Sequence, residues 1–468
     1  MKNEQSVDSK KVLSRLDVLF LAFGAMIGWG WVVLSGNWIM EAGTLGAMIA
    51  FVLGGVLVIF VGLAYAELAS AMPTTGGALI YVLRGIGYKT GFVAAWALAL
   101  GYISVVSFEA VALPTVIEYI FPDYKVGFLY SIQGYDVYAS WVLVGMLGSV
   151  FITVVNLMGV KFAALLQMVL TIIIGIIGLM LIFGASVNGS AQNADPLLIG
   201  GMAGVLTVAI MTPFMFVGFD VIPQTAEEMK IPPRSIGRIL IVSVVAAVIW
   251  YVAIIFAVGF GLDHETLISS VLPTADAMSH VFGHNAFGII LILGGVAGII
   301  TSWNSFIIGG SRILCAMAER KMIPAWFSRR HARYHTPVNA IVFIGTLSTL
   351  APLLGRPMLI WLVDAGGLAI VLAYALVAVA FVRLRRSEPD MERPFRAGKS
   401  SAIGWAAVFF SILFVALYLP GMPAALLWPY EWLIFAGWWG VGLLLMVNMS
   451  KERKASGPHI FSTTTSTR

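Results

Sequence analysis

The stretch GAMIGWGWVVLSG, Gly24 to Gly36, sets three glycines within seven residues of a run that otherwise reads as a membrane helix. Trp29 and Trp31 alternate with Gly28 and Gly30. Glycine is among the weakest helix formers and tryptophan among the bulkiest side chains, so the segment pairs poor helical propensity with volume. It predicts a helix that breaks partway along its length.

The surrounding chain explains what kind of helix this is. Of 468 residues, 60% are hydrophobic and 11% charged, against about one quarter charged in ordinary soluble domains. A water-facing fold cannot absorb that much apolar surface. About twelve runs approach the roughly 20 residues that a bilayer crossing needs: 17–38, 45–71, 90–120, 138–156, 163–185, 200–221, 238–261, 286–318, 338–354, 358–383, 402–419 and 427–448. The expectation is an all-α polytopic membrane protein. The start, MKNEQSVDSKKVLSRLD, is long and polar and does not read as a cleaved signal, so the first span is expected to be retained.

Charge sets the orientation. With the N-terminus inside, alternate loops leave only Lys125 and Arg356 outside among the 28 Lys and Arg residues, as the positive-inside bias requires. Both termini are then cytoplasmic, and the protein is a multi-pass protein of the cytoplasmic membrane. The net charge of +5 follows from this bias and does not point to nucleic acid. The single Cys315 excludes an intramolecular disulfide framework. It reads as packing.

A second interruption lies in the sixth span, IMTPFMFVGFDVIP, where Pro213, Gly218 and Pro223 punctuate an apolar run. Irregular backbone at membrane depth is tolerated where it faces protein or a watery cavity. Interrupted segments at corresponding positions, first and sixth, point to an inverted-repeat transporter of five plus five helices. The competing reading is that the glycines only let helices pack closely.

Five stretches in order carry a family resemblance. They are Gly24-Ala-Met-Ile27-Gly28-Trp-Gly30; YAELASAMPTTGGALIYVLRGIG (65–87); GFDVIPQTAEEMKIPPRSIGRIL (218–240); SRILCAMAERKMIPAWFSRRHARYHTPVNAI (311–341); and RRSEPDMERPFRAG (385–398). Together they make the chain resemble the amino acid-polyamine-organocation (APC) superfamily of transporters from about residue 16 to 400. The resemblance implies the leucine-transporter-type fold. It divides the chain into a tail at 1–16, a ten-helix core at 17–400, two further helices at 401–449 and a tail at 450–468. It also implies that a small amino acid or amine is the substrate.

In this family the substrate carboxylate meets amides of the broken first helix and its ammonium meets freed carbonyls. Helix ends do offer such groups. Carried over, the carbonyls of Ala25, Met26 and Ile27 face the ammonium, and the amides of Gly28, Trp29 and Gly30 face the carboxylate. Phe214 takes the place of an aromatic lid, with Phe216, Val217 and Gly218 as the unwound stretch. At Trp29 many relatives have Ser or Thr. The indole here narrows the pocket, stacks on a cation or turns away.

Ionisable residues inside spans cost about 2.5–3.5 kcal/mol each at the helix centre, which makes each a functional candidate. Glu109 in the third span is the deepest, a candidate to carry a proton, to attract a cationic group or to brace the bundle by hydrogen bonding. Asp220, just after the sixth-span break, is a candidate for coupling or gating, with helix capping or bracing as the equal alternative. Asp364 opens the tenth span, where the family more often has a small polar residue, and reads as lying near the outer interface. Several relatives carry a lysine in the fifth helix where others bind sodium. Ile174 aligns there, which leaves proton coupling through Glu109, exchange, or a sodium ion held by Thr301 and Ser302. H+ ranks ahead of Na+, and no other metal and no cofactor is implied.

The histidine pairs His280/His284 and His331/His335 have helix-compatible spacing but no third ligand, and read as loop or interface residues. Glu67, Glu227 and Glu228 are expected to form inner ion pairs with Arg84 or Arg234. The function expected is secondary active transport of amino acids by alternating access, proton-coupled or by exchange. Polyamine or other organic-amine transport is the runner-up. A nutrient sensor ranks behind both because the short termini read as lacking an output domain, and a membrane enzyme because no constellation of His, Asp or Cys suggests catalysis. The partners expected are the small-molecule substrate and the lipid bilayer, with the oligomeric state left open.

Overall fold

The computed structural model describes residues 11–422 and 425–455. The expected tails fall largely outside them. Ten helical spans among the described residues are long and apolar enough to cross a membrane. They are Arg15–Val33, Thr44–Ala71, Tyr88–Ile120, Ala139–Leu157, Lys161–Asn188, Gly201–Gln224, Pro233–Gly261, Asn285–Glu319, Met358–Ser387 and Tyr430–Met449. Two shorter apolar helices, Val338–Leu354 and Ala402–Leu417, complete the twelve. In chain order they are spans 1 to 12, and the protein is an all-α polytopic membrane protein.

The spans sort by burial. Span 3 is apolar on all sides and almost wholly enclosed by its neighbours, whereas span 12 is largely uncovered. A helix apolar all round must be buried in protein or lipid, so the exposed faces carrying Leu179, Phe183, Ile249 and Leu444 are lipid-facing. Span 3 packs along spans 8 and 10, span 2 along span 7, and span 5 along span 8. Small residues permit these approaches: a Cβ added to Gly101 of span 3 would lie 3.0 Å from Ile370 Cδ1 of span 10. Spans 11 and 12 both pack on span 10, and span 11 also on span 2.

Three features differ from the sequence expectation. The connection 121–137 contains an antiparallel hairpin, Phe128–Ile132 with Tyr135–Tyr138, in the register Ile132↔Tyr135. Its turn residues Gln133 and Gly134 have φ of 47° and 77°, the conformation that tight hairpins favour. The segment 261–285 is not merely a polar connection, since it carries the helices His264–Ser269 and Pro273–Phe282. The second of these is tied to the outer half of span 1, with Thr274 Oγ1 2.5 Å from Ser35 Oγ and 2.9 Å from the Val32 carbonyl. Gly36 of the opening stretch is small for this contact, because a Cβ there would lie 3.0 Å from Pro273 Cβ.

The third correction concerns the inner ion pairs. Glu67 is fully buried and pairs with Arg385 at 2.5 Å and Arg393 at 3.0 Å. It also accepts the Ala397 amide at 2.8 Å. Arg84 pairs instead with Glu388, Glu228 with Arg312 at 2.8 Å, and Glu227 accepts the Thr75 amide at 3.1 Å. The carboxylate of Glu67 thus fastens the segment after span 10 to the end of span 2. Removing one member of such a buried group leaves a charge uncompensated and costs about 3–5 kcal/mol.

Candidate functional site

Span 1 starts with a capping box in which Ser14 N–H donates to Asp17 at 2.8 Å and Asp17 N–H to Ser14 Oγ at 3.3 Å. Its first helix, Arg15–Met26, stops at Ile27, whose φ of −100° and ψ of 40° leave the helical region. The helix restarts as Gly30–Val33, and Ser35–Ala42 follows. The break therefore falls at 27–29. None of Gly24, Gly28 and Gly30 has positive φ; each is small because something comes close.

The approaching groups are specific. A Cβ on Gly24 would lie 2.6 Å from Gln167 Nε2 of span 5, and one on Gly30 would lie 2.6 Å from Met215 Sδ of span 6. A Cβ on Gly28 would lie 2.6 Å from Ser302 Oγ of span 8 and 3.0 Å from Glu109 Oε1 of span 3. Real Cβ atoms do not come this near to other heavy atoms, so a side chain at any of the three would push its neighbour aside, least easily at Gly28, where the short Ser302 side chain stands. The Trp29 indole is fully buried and fills the space left by Gly295 of span 8. Of the three placements open for it, the ring has turned away toward span 8.

Span 6 breaks by different chemistry. Its outer helix Gly201–Ala209 is followed by Thr212–Phe216, extended Val217, Gly218 at φ 138°, and Val221–Gln224. Pro213 has no N–H for the Ala209 carbonyl, and the Thr212 hydroxyl donates to it at 2.7 Å. The next carbonyl, Ile210, accepts the Tyr418 hydroxyl of span 11 at 2.5 Å. Gly218 needs its glycine for conformation and also for space, since a Cβ would lie 2.8 Å from Ala25 Cβ. The two breaks face each other. Tyr251 of span 7 joins them, with its hydroxyl 2.7 Å from the Met26 carbonyl and 3.3 Å from that of Met215.

Glu109 sits at the first break. It is buried, accepts the Ser302 hydroxyl and faces the Trp29 backbone amide, while its Oε2 has no partner among the described residues. Thr301 is turned to its own helix, donating to the Gly298 carbonyl at 2.9 Å. Ile174 is fully buried. Asp220 serves the second break: Oδ1 accepts the Gly218 amide and Oδ2 the Tyr102 hydroxyl, each at 2.9 Å.

Phe214 lies edge-on to Phe108 at 5.8 Å and close to Gly366, on the side of spans 3 and 10. Phe216 packs against Phe51 and Tyr251 of spans 2 and 7. Asp364 does not lie at an open interface. It is nine-tenths buried and faces Glu431 of span 12. Among the discounted histidines, His280 meets the Gly261 carbonyl at 2.8 Å and His284 accepts the Ala286 amide at 3.1 Å.

The sequence reading missed the tyrosines around Asp220. Tyr65, Tyr102 and Tyr374 are fully buried on spans 2, 3 and 10. With Phe219 they form an aromatic floor, with ring centroids 5.4–5.9 Å apart for Tyr65–Phe219, Tyr65–Tyr374 and Phe219–Tyr374. The hydroxyls of Tyr65 and Tyr374 and the amide of Gln224 have no partner among the described residues. Tyr102 was legible in principle, because it lies seven residues before Glu109 and so on the same helical face.

Beyond the floor a Leu13–Met229 bridge and the Arg312–Glu228 pair tie the end of the bundle where span 1 begins, beside a cavity of about 660 Å³. A cavity of about 540 Å³ at the opposite end reaches Leu34, Asn37, Tyr135, Pro273 and Arg356. The centre thus assembles peptide N–H and C=O groups at helix ends, one carboxyl with a free oxygen and aromatic faces. These are complementary to a small molecule bearing both charges.

The comparisons with known proteins agree with this arrangement. The chain is 28% identical to the branched-chain amino acid permease BcaP of Bacillus subtilis over 87% of this chain and 88% of that protein. It is 27% identical to the aspartate-proton symporter of the same organism over 87% and 79%, and 25% identical to its methylthioribose transporter over 94% of each. The amino acid permease family profile matches residues 13–442. With two broken spans facing each other at the centre of a twelve-helix bundle, the chain belongs to the amino acid permease family.

Proposed function

We propose that the protein is a secondary active transporter that moves amino acids across the cytoplasmic membrane by alternating access, with both termini inside. The observation that carries this reading is the juxtaposition of the two breaks with Glu109. A substrate carboxylate would bind the amides of Gly28, Trp29 and Gly30, and its ammonium the carbonyls of Ala25, Met26 and Ile27 together with those near Val217. The tie from Tyr251 to the Met26 carbonyl and the approach of Glu109 to the Trp29 amide are contacts that substrate would exchange for its own. Phe214 would close the site on one side, while Asp220 and its tyrosines would seal the inner path.

Coupling would run through Glu109. Ser302 already donates to one oxygen, so the other is free to take a proton or a cationic group. Protonation makes the carboxyl neutral, favours its burial and weakens it as an acceptor from the Trp29 amide; taking up the proton would loosen its hold on the first break, and losing it on the inner side would restore that hold. Proton symport and proton-linked exchange both use this cycle. The relatives support amino acids as substrates, and the free Glu109 oxygen also suits the second ammonium of a diamine, which keeps organic-amine transport as the alternative.

The test is uptake of labelled amino acids and amines into proteoliposomes with imposed pH or Na+ gradients. Saturable uptake of at least one amino acid, stimulated by a proton gradient and indifferent to Na+, is expected. Uptake of amines alone would replace the substrate class, and no uptake or exchange of any member would overturn the reading.

A further inference from the structure

Two buried carboxyl groups, Asp364 and Glu431, face each other where spans 10 and 12 pack together beside the stacked rings of Trp361 and Tyr430. Asp364 is nine-tenths buried and Glu431 fully so. Counted as acceptors, each leaves one oxygen unsatisfied, Asp364 Oδ1 and Glu431 Oε1. The other oxygen of Glu431 accepts the Leu427 amide at 2.6 Å. No Lys, Arg or His among the described residues pairs with either acid. The titratable groups facing them are each other and the Tyr418 phenol.

Two ionised carboxylates cannot hydrogen-bond, and in apolar surroundings their charges repel strongly. A single proton between them resolves both difficulties, because it supplies a donor and halves the charge. The surrounding packing holds the two acids together. Trp361 and Tyr430, just before each acid, stack with centroids 4.4 Å apart and planes within 1°.

The pair also connects to the sixth-span break. Gly367, one turn after Asp364, leaves room for the Tyr418 hydroxyl, and that hydroxyl donates to the Ile210 carbonyl at 2.5 Å. Ile210 immediately follows the outer helix of span 6. Its side chain packs with Leu368, Leu417, Tyr418 and Leu426 in one small apolar cluster.

We propose that Asp364 and Glu431 share one proton and act as a clasp that holds span 12 on span 10. Through Tyr418 the clasp positions the carbonyl at which span 6 begins to break. Asp364 and Glu431 are positioning residues, distinct in place from Glu109. Loss of the shared proton leaves two facing charges, loosens span 12 and frees Tyr418. The effect on transport rests on the transporter reading above; the clasp itself does not.

The test follows thermal unfolding of the full-length, detergent-purified protein as the pH is raised from mildly acidic to alkaline. The folded clasp keeps a proton that two solvated carboxyls release on unfolding, so folded protein binds more protons and its midpoint falls as pH rises. Asp364→Asn and Glu431→Gln each install an amide that donates without titrating. Each should keep the acidic-side midpoint and reduce the alkaline fall, and the carboxylic-acid C=O infrared band should shrink in both. If one variant does not fold, the other decides.

In proteoliposomes the alkaline limb of the uptake profile should become shallower in both amide variants, leaving the part that proton coupling through Glu109 sets. Tyr418→Phe should retain that limb but lower uptake several-fold at every pH. An alkaline fall and infrared band identical to wild type in a folded amide variant overturn the clasp. Loss in only one of the two variants overturns the sharing. Wild-type protein without uptake of any compound counts against the transporter reading, and the unfolding and infrared results still judge the clasp.

Discussion

The two breaks are built in opposite ways. The first is held from outside its own helix, by Ser302 and Glu109 pressing on Gly28, Gly295 receiving Trp29, and Tyr251 bonding the Met26 carbonyl. Its glycines have ordinary backbone angles. The second is held largely by its own residues: Pro213 deletes a donor, Thr212 replaces it, Gly218 turns the chain at φ 138°, and Asp220 accepts the Gly218 amide two residues away. A break held mainly by its own residues changes less when neighbouring helices move, its outside ties being the hydroxyls of Tyr102, Tyr251 and Tyr418. One held by neighbours changes when they move, which suits the first break as the responsive half of the site.

Gly28→Ala should have the largest effect. Its methyl group would enter the space of Ser302 and Glu109, and displacements near 1 Å at a reacting centre cost about 100-fold in rate. Uptake should fall by about that factor while size-exclusion chromatography still shows folded protein. Glu109→Gln comes next. It keeps the hydrogen bond to Ser302 but cannot exchange a proton, so uptake driven by a pH gradient should drop about tenfold, a typical coupling magnitude. Substrate exchange without a gradient should persist, and an unchanged pH profile would remove Glu109 from coupling.

Changes at the second break should appear mainly as lost stability. Gly218→Ala places a side chain at φ 138° and should cost about 1–3 kcal/mol, read as a lowered unfolding midpoint. Asp220→Asn keeps the shape but weakens the bonds to Gly218 and Tyr102, with an expected loss of about 1–2 kcal/mol. A Gly218→Ala protein of wild-type stability would break the contrast between the two breaks. Trp29→Ser should have the smallest effect on selectivity. The ring lies against Gly295, so the ranking of substrates should stay as in wild type while stability falls. A new ranking would place the ring in the pocket.

What the sequence revealed follows the same division between local and distant causes. Spans and breaks are written in hydropathy and in Gly and Pro, which act within a few residues, and the expected span 286–318 emerges as Asn285–Glu319. Asp220 was legible because its partner Gly218 is in the same motif. The pairing of Glu67 with Arg385 and of Asp364 with Glu431 depends on how distant helices pack, and no local pattern specifies it. Trp29 shows the limit most clearly. Its aromatic character was visible, but its direction was decided by a missing side chain at Gly295, on another span. The hairpin at 128–138 was the reverse case, since Gln133-Gly134 between alternating residues is a local signal that hydropathy alone overlooks.

The most direct test places wild type and Gly28→Ala side by side in proteoliposomes and measures uptake of a panel of labelled amino acids. The account predicts saturable uptake by wild type, competed by unlabelled substrate, and uptake near background for folded Gly28→Ala. Equal uptake by the two proteins would contradict it.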